Sequence, residues 1–226
     1  MMERFLWTIF PYMAVVIAMT VLIWRYRYQQ LGWSSKSSQF LEKKQLFLAG
    51  PGFHLGIFAV LGGHVGGVLV PKAVTEMSGV TEEMYHTGAV FVGIPAGVLL
   101  TVCFVCLLWR RLSNRRIWLA NTSVSDRWLL LFLFFSILTG MAATLSNAGH
   151  SAFNYRDTVS PWFRSLLLLQ PEPELMAEVP FLFKLHMISW MLLVLALPFT
   201  RLVHFLSFPF GWFFRAPLIY RRRMDK

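Results

Sequence analysis

Along 53-FHLGIFAVLGGHVGG-67 apolar residues follow one another with almost no polar break, and four other stretches of the chain behave the same way. A bilayer core takes about 20 apolar residues as helix. Five segments reach that length, roughly residues 5–24, 46–70, 87–109, 128–147 and 181–206. The pattern predicts an all-α integral membrane protein, residues 1–226 forming a single transmembrane domain of five helices. The last span contains Pro198 and Arg201, so it is expected to kink and to end near the interface. Such a proline is tolerated in lipid when neighbours satisfy the carbonyl it frees. Between the fourth and fifth spans, 160-SPWFRSLLLLQPEP-173 predicts a short helix with Ser160 as cap, Pro161 at the first helical position and Pro171 as stop. Its Trp162, Phe163 and leucines suit an outer membrane interface, as a cover over something or as a plain anchor.

Composition agrees with the pattern. With 56% hydrophobic and 14% charged residues, the chain has too little polar surface for a water-soluble domain of its length. The run Phe5 to Trp24 lacks a small-residue cleavage site and is long enough to cross, so it reads as a span and not as a cleavable signal. The formal charge of +10 follows the loops. Arg25, Arg27, Lys36, Lys43 and Lys44 lie between spans one and two; Arg110, Arg111, Arg115, Arg116 and Arg127 between three and four; Arg215, Arg221, Arg222, Arg223 and Lys226 after five. The other side holds only Arg4, Lys72, Arg156, Arg164 and Lys184. The positive-inside rule then puts the N-terminus outside and the C-terminus in the cytoplasm, and the basic excess requires no nucleic acid. Cys103 and Cys106 sit in an apolar run without a second ligand pair, and read as small apolar helix residues.

The histidines change the picture from anchor to candidate chemistry. His54 and His64 lie in the second span, His186 and His204 in the fifth, and His86 and His150 at the outer mouths of the third and fourth. Ionisable groups within spans are costly and tend to face a functional interior. Spans two and five run in opposite directions, so as neighbours they pair His54 with His204 and His64 with His186. On ideal helices the steps are about 15 Å and about 27 Å, and an eighteen-residue step returns to the same face after about five turns. Tilt, the Pro198 kink and side-chain reach are expected to absorb the mismatch. Each pair offers two imidazoles, whereas catalytic zinc takes three protein ligands and structural zinc four. Haem needs only two, since the porphyrin fills the equatorial positions. Glycines flank both sets, Gly52 and Gly56 beside His54, and Gly62, Gly63, Gly66 and Gly67 around His64, which suits either a flat macrocycle or close helix packing. Without a C-x-x-C-H run, two non-covalent b-type haems are expected.

At these residues the chain resembles the gamma subunit of respiratory nitrate reductase, a quinol-oxidising di-haem cytochrome b. The likeness runs through 10-FPYMAV-15, 32-GWSSKSSQFLEKK-44, 53-FHLGIFAVLGGHVGG-67, 161-PWFRSLLL-168, 185-LHMISW-190 and 198-PFTRLVHFLSFP-209. The resemblance implies a cell-membrane protein with two haems clamped between helices two and five. His54 and His204 are the implied axial ligands of the haem nearer the cytoplasm, His64 and His186 those of the outer haem. Quinol oxidised near the outer haem would release protons outside, and electrons would pass to an iron–sulfur beta subunit and a molybdenum-containing alpha subunit on the cytoplasmic face. The family's quinone-site lysine before span three is absent from 84-MYHTGAV-90, which leaves Gly63, Tyr85 and His86 as candidates for quinol, with Lys72 next. Rival readings are a di-haem quinol subunit serving another reductase, such as one for sulfur compounds, a transition-metal transporter with a histidine relay, and a haem-free anchor.

Overall fold

The computed structural model describes residues 1–29, 32–149 and 153–206, and the regular structure among them is entirely helical. Five helices are long and apolar enough to cross a membrane: Met2–Tyr28, Lys44–Leu69, Glu82–Ser113, Val124–Ser146 and Phe181–Phe199. These are the five expected spans, with ends that hydropathy does not set. Span three starts at Glu82 because the Thr81 hydroxyl accepts from the Met84 amide at 3.2 Å. Span four starts at Val124 because Ser123 and Asp126 form a reciprocal capping box.

The fifth span departs from the sequence expectation of one helix over 181–206. The α-helix covers Phe181–Ala196, a 3-10 turn Leu197–Phe199 follows, Thr200 is extended (φ −121°, ψ −179°), and a second 3-10 segment, Arg201–Leu206, carries His204. The five-turn, same-face relation between His186 and His204 therefore does not apply. The carbonyls exposed by the break are satisfied from span one, where Arg25 donates to Pro198 O and, at 3.4 Å, to Thr200 O. This is the compensation a proline in lipid requires.

Around the bundle, span one packs on five, five on four, four on three and three on two, so the helices form an arc. Spans two and five make little direct contact and face each other through their histidines and the stacked Phe58 and Phe205 rings, 6.0 Å apart. Two glycines set the seam between spans two and three. A Cβ at Gly56 would lie 2.8 Å from the Leu100 backbone nitrogen, and one at Gly52 would lie 2.6 Å from Cys103 Sγ. Gly52 and Gly56 thus serve helix packing and not a macrocycle. Cys103 is buried in that seam and Cys106 is exposed, both as free thiols.

The best-packed region is the end of the bundle where span one begins. Trp7, Val159, Trp162, Leu166, Met176, Val179 and Met191 form a buried cluster joining span one, the short helix Val159–Leu167 and span five. That helix begins one residue before Ser160, after Thr158, which makes no capping bond. Ser160 is fully buried and donates instead to Gly67 O at 2.9 Å, so the expected cap is an inter-helix tie. Trp162 Nε1 donates to Trp7 O at 2.9 Å, Arg164 to Val68 O at 2.9 Å, and Tyr12 to Leu166 O at 3.0 Å. The segment lies against spans one and two, and its Leu167, Leu168 and Leu169 are exposed.

Candidate functional site

His54 and His64 project from span two into the gap, where both are exposed. His204 stands opposite His54 with ring centroids 6.3 Å apart, and His186 opposite His64 at 5.9 Å. His54 Nδ1 lies 2.8 Å from Gly50 O, His64 Nδ1 2.7 Å from Val60 O and His204 Nδ1 2.6 Å from Arg201 O. His186 Nδ1 lies 3.3 Å from Thr139 Oγ1, whose own hydrogen goes to Phe135 O at 2.7 Å. In all four, an acceptor at Nδ1 places the proton there, which makes Nε2 the nitrogen able to ligate.

The geometry fits two-nitrogen axial ligation. A metal–imidazole bond is about 2 Å long, so rings on opposite sides of one ion have centroids about 6 Å apart. Added Cβ atoms at Gly62, Gly63 and Gly66 would meet nothing within 4 Å, so open space adjoins His64 on span two. Among the described residues no group of three or more His, Cys, Asp or Glu could hold a metal ion by itself. The metal-relay reading therefore finds no protein-only site there. His186 also needs a residue without a side chain beside it, since a Cβ at Gly140 would lie 2.8 Å from its Cε1. Thr139 and Gly140 went unnoticed in the sequence because an apolar span gives no local sign of which turn will face a histidine.

Beyond His64, at the end of the bundle that carries the short helix Val159–Leu167, lies a polar cluster that sequence reasoning located only in part. Tyr85 is there; its hydroxyl accepts from Tyr155 at 3.5 Å, and both hydroxyls crowd Gly67, where a Cβ would lie 2.7 Å from Tyr155 Oη and 3.1 Å from Tyr85 Oη. Arg156, 3% exposed, lies 3.9 Å above the Tyr85 ring and donates to Glu82 at 3.0 Å and to Thr75 at 3.0 Å. Lys72 is held by Asp157 and lies 3.8 Å from Glu82. Burial, and then the bond to Tyr85, push the Tyr155 hydroxyl well above its ordinary value of 10, so it stays a proton donor. His86 turns elsewhere, its Nε2 3.3 Å from Asn147 O, and Gly63 faces open space. His150 lies outside the described residues, as do the basic positions from Arg215 onward.

A family model described as nitrate reductase gamma subunit matches residues 3–223. The chain is 42% identical over 223 residues to the nitrate reductase gamma chain of Bacillus subtilis (strain 168), spanning 99% of this chain and 100% of that protein. It is 31% identical over 220 residues to the respiratory nitrate reductase 2 gamma chain of Escherichia coli (strain K12), spanning 97% and 96%. It is also 40% identical over 227 residues to the nitrate reductase-like protein NarX of Mycobacterium tuberculosis (strain ATCC 25618 / H37Rv), but covers only 35% of that larger protein.

Proposed function

The chain belongs to the nitrate reductase gamma subunit family, as a multi-pass membrane subunit of a nitrate reductase, and from that premise we propose that it takes electrons from quinol at its outer side and delivers them to a cytoplasmic iron–sulfur and molybdenum-containing catalytic pair in the cell membrane. The observation that carries this reading is the antiparallel pairing of imidazoles across the gap, each with Nδ1 engaged. His54 with His204, and His64 with His186, would each hold one b-type haem. When bound, these groups supply reversible one-electron chemistry between the quinol side and the partner side.

The chain's own residues do the rest. Gly50, Val60 and Arg201 carbonyls and the Thr139 hydroxyl fix the tautomer and ring orientation of the four ligands. At the outer mouth, the Tyr155 and Tyr85 hydroxyls offer hydrogen bonds to a quinol head group where the family's lysine is missing. Because Tyr155 holds its proton, quinol's protons need another acceptor, and Glu82, linked to the pair through Arg156, is a carboxylate on that route. The Trp162 cover shields this end from water. The buried Arg110, bonded to Ser38 and Glu42, and Arg201, bonded to Asp126 and Asn121, order the basic loops that would meet the partner subunits.

The test is haem content per polypeptide and the reduced-minus-oxidised spectrum, first of the chain and then of four alanine variants. His54→Ala and His204→Ala should remove or perturb one spectral component, and His64→Ala and His186→Ala the other. Loss of the inner component should still allow reduction of the outer one by quinol while blocking delivery to the partner. A chain without haem, or a series in which His54 groups with His186, would sink the proposal.

A further inference from the structure

His204 rides on the 3-10 segment Arg201–Leu206, which starts beyond the extended Thr200 and so is uncoupled from the helix of span five. Six residues of 3-10 helix are a weak scaffold by themselves, with eclipsed side chains and poor hydrogen-bond geometry. The orientation of the His204 ring therefore depends on what holds this segment. Its Nδ1 bonds to the Arg201 carbonyl at 2.6 Å. The same residue's guanidinium reaches three other parts of the chain. Nε lies 2.8 Å from Asp126 Oδ1 at the start of span four, as an ion contact without the alignment of a hydrogen bond. Nη1 donates to Asn121 Oδ1 at 2.8 Å and to the Lys36 carbonyl at 3.2 Å, and Nη2 donates to Asn121 O at 2.6 Å. Asp126 is itself fixed, 3% exposed, with Oδ2 accepting from the Ser123 amide and hydroxyl, each at 2.7 Å.

We propose that Arg201 and Asp126 are positioning residues for the inner histidine: the ion pair fixes the Arg201 backbone, and that backbone's carbonyl sets the orientation and basicity of the His204 imidazole. A ligand's Nδ1 partner tunes the metal it serves, and axial-ligand hydrogen bonding is one of the levers on haem potential. The inference rests on reading His54 and His204 as a haem-holding pair. It adds a consequence for the partner side. The loops at Lys36 and Asn121 meet on one guanidinium, so a protein docked on them acts on the same carbonyl that orients His204.

The experiment uses the whole complex in membranes. Arg201→Lys keeps the charge but loses the planar fork, and Asp126→Asn removes the charge while keeping shape. Glu178→Gln, an exposed charged position away from the basic loops, is the control. Haem per polypeptide, potentiometric titration resolved by component, and hydrogen exchange of the 197–206 peptide are read together. The expected result is a shifted midpoint or lost haem in the component assigned by His54→Ala, faster exchange in 197–206, an unmoved outer component, and no change in the control. If Arg201→Lys does not accumulate, Asn121→Ala removes one anchor and carries the same expectation at smaller size. An unmoved inner component, or equal shifts in both components, overturns the inference. Should His54→Ala and His204→Ala fail to affect a common component, the underlying pairing is what falls.

Discussion

Gly67 lies one turn beyond His64, and only a residue without a side chain lets two tyrosine hydroxyls approach span two there. Gly67→Ala would put a methyl 2.7 Å from Tyr155 Oη, so the pair must move. Such overpacking costs about 1–3 kcal/mol. If the pair binds quinol, the expected outcome is a drop in quinol oxidation of about tenfold, ~1.4 kcal/mol of barrier, with both haems retained. Tyr155→Phe and Tyr85→Phe should lower quinone-analogue affinity in the same assay. His86→Ala is expected to change it less, because His86 is turned toward Asn147. A larger loss from His86→Ala than from Tyr155→Phe would move the quinol site to the opposite side of span three. Tyr85 was legible in the sequence from its place before span three. Tyr155 and Arg156 were not, since a loop residue's partner is fixed by the path of the chain and leaves no periodic signal.

The cover helix Val159–Leu167 joins the two roles that its sequence suggested, a buried face against spans one and two and an exposed leucine edge. Leu169 closes it in a left-handed conformation (φ 58°), a position usually given to glycine. Trp162 is 1% exposed and packs edge-on against Trp7 with centroids 5.7 Å apart. Trp162→Ala should cost about 3–5 kcal/mol, read as a lower Tm of the solubilised protein and faster hydrogen exchange in 2–12 and 159–168. At the opposite end, the loop between spans one and two is tied by Glu42 to Arg110. The bond from Arg110 holds the Glu42 carboxyl below its ordinary 4.5. A depressed folded value means the contribution is present above the unfolded value and lost as pH falls through the folded one. The Tm should therefore fall below about pH 4.5 more steeply in the parent protein than in Glu42→Gln.

At the scale of the whole molecule, polar groups gather at two ends. Arg25, Glu42, Arg110, Asp126 and Arg201 are bonded at one, and Lys72, Glu82, Arg156 and Asp157 at the other. Five helices long and apolar enough to cross a membrane run between these two ends. With the basic loops inside, a reporter fused after Lys226 is expected to be active only in the cytoplasm. External activity would reverse the assignment of inner and outer histidines. The exposed apolar spans have a plain physical basis, since a bilayer covers them.

The sequence by itself determined the five long apolar helices and the charge asymmetry of the loops between them, and it singled out the four histidines that the structure brings into two facing pairs, because lipid demands long apolar runs and makes each ionisable exception conspicuous. It also set the family, through residues spread over nearly the whole chain. Only the tertiary structure decided how His204 reaches His54. A continuous helix over 181–206 could not match a ten-residue step to an eighteen-residue one, and the break at Thr200 removes the conflict by freeing the second segment from the helix axis. It likewise divided the glycines, sending Gly52 and Gly56 to the seam with span three and leaving Gly62, Gly63 and Gly66 open. The physical reason is the same in both cases. Hydropathy reports how deep a residue sits in the bilayer, while the direction in which it faces depends on neighbours brought together by the other helices.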